Sequence, residues 1–159
     1  MLYKTWANKL IFEAVSELPH KELYKERKNL FPSIIRVLNH MYIVDLIWQA
    51  HLERKEHGLK ERNPEKCPSL EKIWLSQQKM DEWYTSYSEQ LSIDELNEKI
   101  DFKFMNGDKG IMTRNEILLH IVNHATYHRG FIADMFYQIP IKPPTTDFPI
   151  FLQVGSHSK

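Results

Sequence analysis

The chain has 159 residues, of which 42% are hydrophobic, 12% are aromatic and 26% are charged. These values are typical of one globular domain, here over residues 1–159, and they exclude a disordered chain. The 21 Lys and Arg residues balance the 21 Asp and Glu residues, so we expect no nucleic acid as a partner.

Cysteine content and the N-terminus predict the compartment. Cys67 is the single cysteine and cannot form an internal disulfide, which favours a reducing cytoplasm. The N-terminal MLYKTWANKLIFEAVSEL interrupts its apolar residues with charged ones, unlike the apolar region of a signal peptide. No segment reaches the roughly 18 apolar residues that cross a bilayer. We therefore predict a soluble, cytoplasmic protein with no membrane partner.

The first two predicted helices are amphipathic. The first ends before Pro19, and its apolar residues recur every four positions at Leu2, Trp6, Leu10, Ala14 and Leu18. After a polar linker, the second begins at Pro32, is expected to end at Gly58, and carries His40. Its predicted buried stripe is Ile34, Leu38, Met41, Asp45, Trp48 and Leu52. A carboxylate at Asp45 on this face requires a buried partner.

Two more long helices follow. The third is SLEKIWLSQQKMDEWYTSYSEQL, after which SIDEL predicts a short turn and KIDFKFMNGDKGIMTR predicts a hairpin or extended loop around Asn106 and Gly107. Thr113 and Glu116 form a capping-box pattern that opens the fourth helix, which runs towards Pro140. The tail is expected to lie over the helices, with its last residues loose. The fold class is therefore all-α, a four-helix bundle with a short hairpin before the last helix.

Three histidines lie four residues apart in LLHIVNHATYHRG, at His120, His124 and His128. Residues four apart stand on one helix face, so a pair of them can bind one ion. Two imidazole nitrogens that share an ion lie at most about 4 Å apart. His120 and His128 are about 12 Å apart along the helix axis, so at most two of the three histidines share an ion.

A third ligand would come from a facing helix, as is common in helix bundles. His40, in the middle of the second helix, is the first candidate, and His51, about 16 Å further along, is the second. Three imidazoles with one open position suit zinc, nickel or a similar ion. Spacing alone leaves a packing role open, and the segment lacks the glutamate of the metalloprotease motif H-E-x-x-H.

Four segments in this order make the chain resemble the DinB/YfiT-like family: YKTWANKLIFEAVSELP, SIIRVLNHMYIVDLIWQAHL, LLHIVNHATYHRG and PPTTDFPIFL. The resemblance covers nearly the whole chain. It implies a four-helix bundle with up-down-down-up connectivity, a homodimer, and a divalent ion held by three histidines. Matched by position, these ligands are His40, His124 and His128, and His120 becomes a packing or ligand-orienting residue.

Further predictions concern the residues that follow His128. The family often reads H-R-G-Q, whereas this chain has Phe131 at the last position. We expect Arg129 to point away from the ion, since it lies about 100° around the helix from His128. We expect Gly130 to permit close contact between helices. Trp6, which matches a family W-x-N pattern with Asn8, is expected in the core.

The resemblance implies a metal-dependent enzyme of the thiol-transferase type, which joins a low-molecular-weight thiol to an electrophile. Zinc or nickel would lower the pKa of the thiol, leaving a nucleophile at neutral pH. Two alternatives stay open. One is a metal-dependent hydrolase, with Asp45 or Tyr127 as a candidate base. The other is a noncatalytic, stress-related dimer whose ion stabilises the fold.

Overall fold

A computed structural model describes residues 1–156, with side chains through Val154. These residues form seven helices and one antiparallel two-stranded sheet. In chain order they are α1 (Leu2–Ser16), α2 (His20–Tyr24), α3 (Ile34–Leu52), α4 (Leu70–Gln90), α5 (Ile93–Leu96), β1 (Lys99–Lys103), β2 (Lys109–Thr113), α6 (Arg114–Tyr137) and α7 (Phe148–Ser156). The last residues, predicted to be loose, lie outside the described part of the chain.

Four long helices, α1, α3, α4 and α6, pack side by side. Helix α3 contacts both α4 and α6, and α1 contacts the same two helices. The predicted stripe from Ile34 to Leu52 is confirmed, because each of its six residues is buried. None of the helices within residues 1–156 has both the length and the apolar character needed to span a membrane.

Local sequence signals define several boundaries. At the start of α6 the predicted capping box is confirmed: the Thr113 side chain accepts from the Glu116 N–H, and the Glu116 carboxylate accepts from the Thr113 N–H. The predicted hairpin is also confirmed, with β1 paired antiparallel to β2. Gly107 lies in its turn with a φ of 91°, a conformation that glycine adopts without steric cost.

Two predictions about helices are wrong. Helix α3 ends at Leu52 rather than Gly58, and Arg54 just beyond its end adopts a non-helical φ of 56°. The predicted linker contains α2. The tail, predicted to lie over the helices, contains α7, which contacts α1. Both helices are short, so their sequences hold too few turns to show a clear helical period.

The inner face of α1 also differs from the prediction. Leu2 is 59% exposed, whereas Lys4 and Asn8 are 1% exposed and lie in the interior. Trp6 lies outside the buried core and packs on Phe151 of α7, with 5.6 Å between ring centroids. The spacing of apolar residues predicted the wrong buried face for α1, because two polar side chains occupy interior positions.

Candidate metal centre

The structure brings His40 of α3 together with His124 and His128 of α6. One ring nitrogen from each lies within 4.8 Å of the other two. Nε2 of His40 and Nε2 of His124 are 3.2 Å apart. Two nitrogens bound tetrahedrally to one zinc ion at about 2.05 Å would be separated by about 3.3 Å. The three-histidine group therefore has the spacing that one divalent ion requires.

The hydrogen bonds of this group leave ring nitrogens free to bind a metal ion. Nδ1 of His40 lies 3.2 Å from the backbone carbonyl of Arg62, so it donates its proton there and Nε2 carries the lone pair. Nδ1 of His128 is buried without a hydrogen-bond partner, which is uncommon for a buried polar atom. Both observations fit residues that bind a metal ion.

Burial keeps the imidazoles neutral. Burial, followed by the neighbouring imidazoles, lowers the pKa of His124 to about 2 and that of His128 to about 4. Burial also lowers the pKa of His40. Since only the neutral imidazole binds a metal, the three-histidine group is in its binding form throughout the neutral pH range.

These pKa values predict a pH dependence of stability for the metal-free protein. As pH falls below 6.5, His124 and His128 take up protons in the unfolded chain but stay neutral in the folded one, down to about pH 4 for His128. Stability should therefore fall on acidification. We expect a loss on the order of 2 kcal/mol between pH 6.5 and 5, after allowing for partial solvent screening.

The measurement is urea unfolding of chelator-treated protein at several pH values. The double variant His124→Ala/His128→Ala is the control, because it lacks both groups and should lose less stability over the same range. Parallel pH profiles for the two proteins would contradict the assignment.

Aromatic side chains surround the three-histidine group. The Phe31 ring centroid lies 4.8 Å from that of His40 and 5.2 Å from that of His128. Phe131, at the position where the family often has a polar residue, packs on Phe31 and Tyr127. Tyr127 contacts His128 and is 61% exposed. Phe31 and Phe131 thus form an apolar wall, and Tyr127 marks the solvent side.

Two other candidate histidines lie away from this group. His120 packs edge-on against Trp48 at 4.9 Å between ring centroids, with His124 at 5.8 Å, as its predicted packing role requires. His51 contacts Trp48 and Phe102 near the end of α3. Neither belongs to the group that could hold an ion.

Asp45 belongs to a buried polar network. Nζ of Lys4 donates to Oδ2 of Asp45 at 2.7 Å and to Oδ1 of Asp81 at 2.5 Å. The amide groups of Gln77 and Asn8 also donate to these carboxylates. Burial alone would lower the pKa of Lys4, but the two carboxylates outweigh burial and raise it, so Lys4 stays charged. The predicted need of Asp45 for a partner is confirmed.

Sequence reasoning missed Lys4 and Asp81. The one available signal was Gln77 on the apolar side of α4, because Asp81 follows it by one helical turn. The network continues through Asn8, whose side-chain oxygen accepts a hydrogen bond from Arg129 at 3.2 Å. Arg129 is buried and directed towards α1, so the prediction that it points away from the histidines is confirmed.

The prediction that Gly130 permits close helix contact is wrong for this chain. Gly130 is exposed, and a Cβ atom built there would meet no atom within 4 Å. Within the described part of the chain, no other element packs against α6 at Gly130. Glycine therefore gives no packing benefit here.

Gly130→Ala is expected to stabilise the protein. The position is helical and open, so alanine should raise the free energy of unfolding by about 0.5–1 kcal/mol through its higher helix propensity. Urea unfolding of the two proteins measures the difference. A destabilised Gly130→Ala variant would mean that another surface packs on this glycine in solution.

Fold and site together define a helical protein whose three-histidine group could hold a metal ion. The DinB family model matches residues 1–156. Protein DinB of Bacillus subtilis (strain 168) is 34% identical over 161 residues, covering 94% of this chain and 90% of that protein. The chain belongs to the DinB family. A DinB-like protein from Bacillus cereus ATCC 10987 shares the fold, with a TM-score of 0.69, 19% identity, and 91% of each chain covered.

Proposed function

We propose that the protein is a divalent-metal-dependent enzyme of the thiol-transferase type, with one zinc or nickel ion held by His40, His124 and His128. The observation that carries this proposal is the convergence of three neutral imidazoles from two helices, with ring nitrogens within 4.8 Å of one another. Three protein ligands leave one coordination position for a small-molecule thiol. The electrophile is the second substrate.

Each residue around the site has a separate task in this proposal. When bound, the ion lowers the pKa of the thiol so that a thiolate forms at neutral pH. The Arg62 carbonyl fixes the tautomer of His40 by accepting its Nδ1 proton. Phe31 and Phe131 keep water from one side of the imidazoles. The thiol proton leaves to solvent, and the sulfur then bonds to the electrophilic carbon while the bond from that carbon to its leaving group breaks. With 1-chloro-2,4-dinitrobenzene the leaving group departs as chloride.

The surroundings favour a thiol over water as the nucleophile. Within residues 1–156, the group of candidate ligands contains no carboxylate that could act as a base for water. Of the two candidate bases, Asp45 is committed to Lys4 in the interior, whereas Tyr127 contacts His128 at the solvent side. A free thiol is far more acidic than free water, with a pKa of about 8.5 against about 15.7, so a bound thiol loses its proton more readily. This difference supports transfer over hydrolysis.

The test is conjugation of 1-chloro-2,4-dinitrobenzene by protein purified without a histidine tag and loaded with zinc or nickel. Bacillithiol, glutathione and cysteine serve as thiols. We expect a metal-dependent rate that chelation and His124→Ala remove, while His120→Ala retains it. Stoichiometric metal without turnover for any of these thiols, with further electrophiles included, would favour the noncatalytic alternative.

We propose that the protein is a single domain over residues 1–159. Its helices form a four-helix bundle with up-down-down-up connectivity, and two copies assemble as a homodimer. Exposed apolar side chains on α1 and α7 support assembly; they are Leu2, Phe148, Ile150 and Leu152. Light scattering measures the mass directly, and a monomer at micromolar concentration would contradict the dimer.

A further inference from the structure

A second concave site lies at the opposite end of α3 from the three-histidine group. We name it the hairpin pocket: a cavity of about 640 Å³ between residues 51–60 and residues 101–110. None of His40, His124 and His128 lines it. Its volume is within the range of about 300–1,000 Å³ that is usual for small-molecule sites.

Positive charge dominates the lining of this pocket. Five of the lining residues are basic: Arg54, Lys55, Lys60, Lys103 and Lys109. Only Glu56 and Asp101 are acidic among the residues that line it. The chain as a whole has equal numbers of basic and acidic residues. The excess of basic over acidic residues is therefore a local property of this pocket, and a concave basic surface attracts anions.

Three of these cations are uncommitted. Arg54 pairs with Glu98, and Lys55 lies 3.3 Å from Glu53. Lys60, Lys103 and Lys109 form no ion pair with any carboxylate of residues 1–156. Their charges are available to a ligand.

The cross-strand pairing of two hairpin lysines is a second observation that favours a bound anion. Lys103 of β1 lies directly opposite Lys109 of β2 in the antiparallel ladder. Like charges at directly opposed positions destabilise a strand pair. A bound anion would remove this repulsion.

The pocket also has an apolar wall. Phe102 packs on Trp48 at 4.9 Å and on Phe104 at 5.0 Å between ring centroids. Its cross-strand partner is Gly110, where an added Cβ atom would collide with the Phe102 ring. Glycine at this position lets the ring lie against the β2 backbone. Cationic and aromatic residues therefore both line this pocket.

We propose that the hairpin pocket binds a small organic anion, in which a phosphate or carboxylate meets the lysines and an apolar part lies on the phenylalanines. A volume of about 640 Å³ fits a small molecule better than a nucleic-acid strand. This proposal does not depend on the proposed enzymatic function, because the pocket and the three-histidine group share no residue.

Isothermal titration of the full chain with 1-naphthyl phosphate tests the proposal, with 1-naphthoate and 1-naphthol as the carboxylate and neutral probes. The triple variant Lys60→Gln/Lys103→Gln/Lys109→Gln should weaken binding of the preferred anion by about tenfold or more. The matched control Lys21→Gln/Lys72→Gln/Lys79→Gln removes the same charge from exposed sites outside the pocket and should change the Kd less than twofold. His124→Ala should leave binding unchanged.

The variant Lys109→Glu distinguishes a loss of anion binding from a loss of folding stability. Opposite charges across β1 and β2 should raise the urea midpoint while anion binding is lost. Equal affinities for the two triple variants, or binding of 1-naphthol as tight as that of both anions, would overturn the proposal.

Discussion

Replacing His124 with alanine is expected to weaken binding of zinc or nickel by at least about 100-fold. Loss of an outer-shell partner commonly costs about 10- to 100-fold in metal affinity, so loss of a ligand should cost no less. The His124 ring contacts both other imidazoles, with its centroid 5.1 Å from that of His40 and 4.2 Å from that of His128. His40→Ala and His128→Ala should have similar effects.

His120→Ala is the matched control, because His120 lies on the same helix one turn earlier and outside the three-histidine group. Competition with a chromophoric chelator measures each affinity. We expect the His120→Ala affinity to stay within about threefold of the unmodified protein, since a packing residue affects the ion only indirectly. Equal losses for His120→Ala and His124→Ala would contradict the assigned ligands.

Lys4→Met is expected to lower the free energy of unfolding by about 3–5 kcal/mol, because it leaves charged groups buried without their counterion. The side chains of Lys4, Asp45 and Asp81 are 1%, 3% and 3% exposed, so water cannot take the place of the ammonium group. The amide donors of Gln77 and Asn8 would remain but carry no charge.

Two comparison proteins isolate this effect. Lys9→Met is on the same helix, where the Lys9 side chain is 64% exposed, and should change stability by less than about 0.5 kcal/mol. The triple variant Lys4→Met/Asp45→Asn/Asp81→Asn removes the ammonium group together with both carboxylates and should recover much of the loss. Urea unfolding measures all of them. A Lys4→Met protein as stable as Lys9→Met would show that the network contributes nothing.

Local signals predicted the elements better than their packing. The capping box at Thr113, the turn at Gly107 and the stripe of α3 depend on neighbouring residues, and each is confirmed. Lys4 is different: a lysine in the first turn of a helix is normally solvated. Its burial depends on Asp45 of α3 and Asp81 of α4, and no pattern within α1 reveals them.

For the candidate metal centre too, local signals predicted one part, and the packing of helices determined the other. Helical spacing alone places His124 and His128 one turn apart on α6. His40 is 84 positions from His124 in sequence, and their meeting depends on how α3 packs on α6. The position of His40 in the middle of its helix made it the first candidate, with His51 second, and the resemblance to the DinB family then selected His40. The hairpin pocket was not predicted at all, because its basic residues come from separate segments.

X-ray absorption spectroscopy at the metal edge, on protein purified without a histidine tag and quantified for metal, tests the central claim most directly. We expect about one zinc or nickel ion per chain, with three imidazole nitrogens at about 2.0–2.1 Å if the ion is zinc and a further light-atom ligand in the open position. Addition of a thiol should replace that ligand with sulfur at about 2.3 Å. Protein without stoichiometric metal, or with an ion bound by fewer than three imidazoles, would contradict the assignment of His40, His124 and His128.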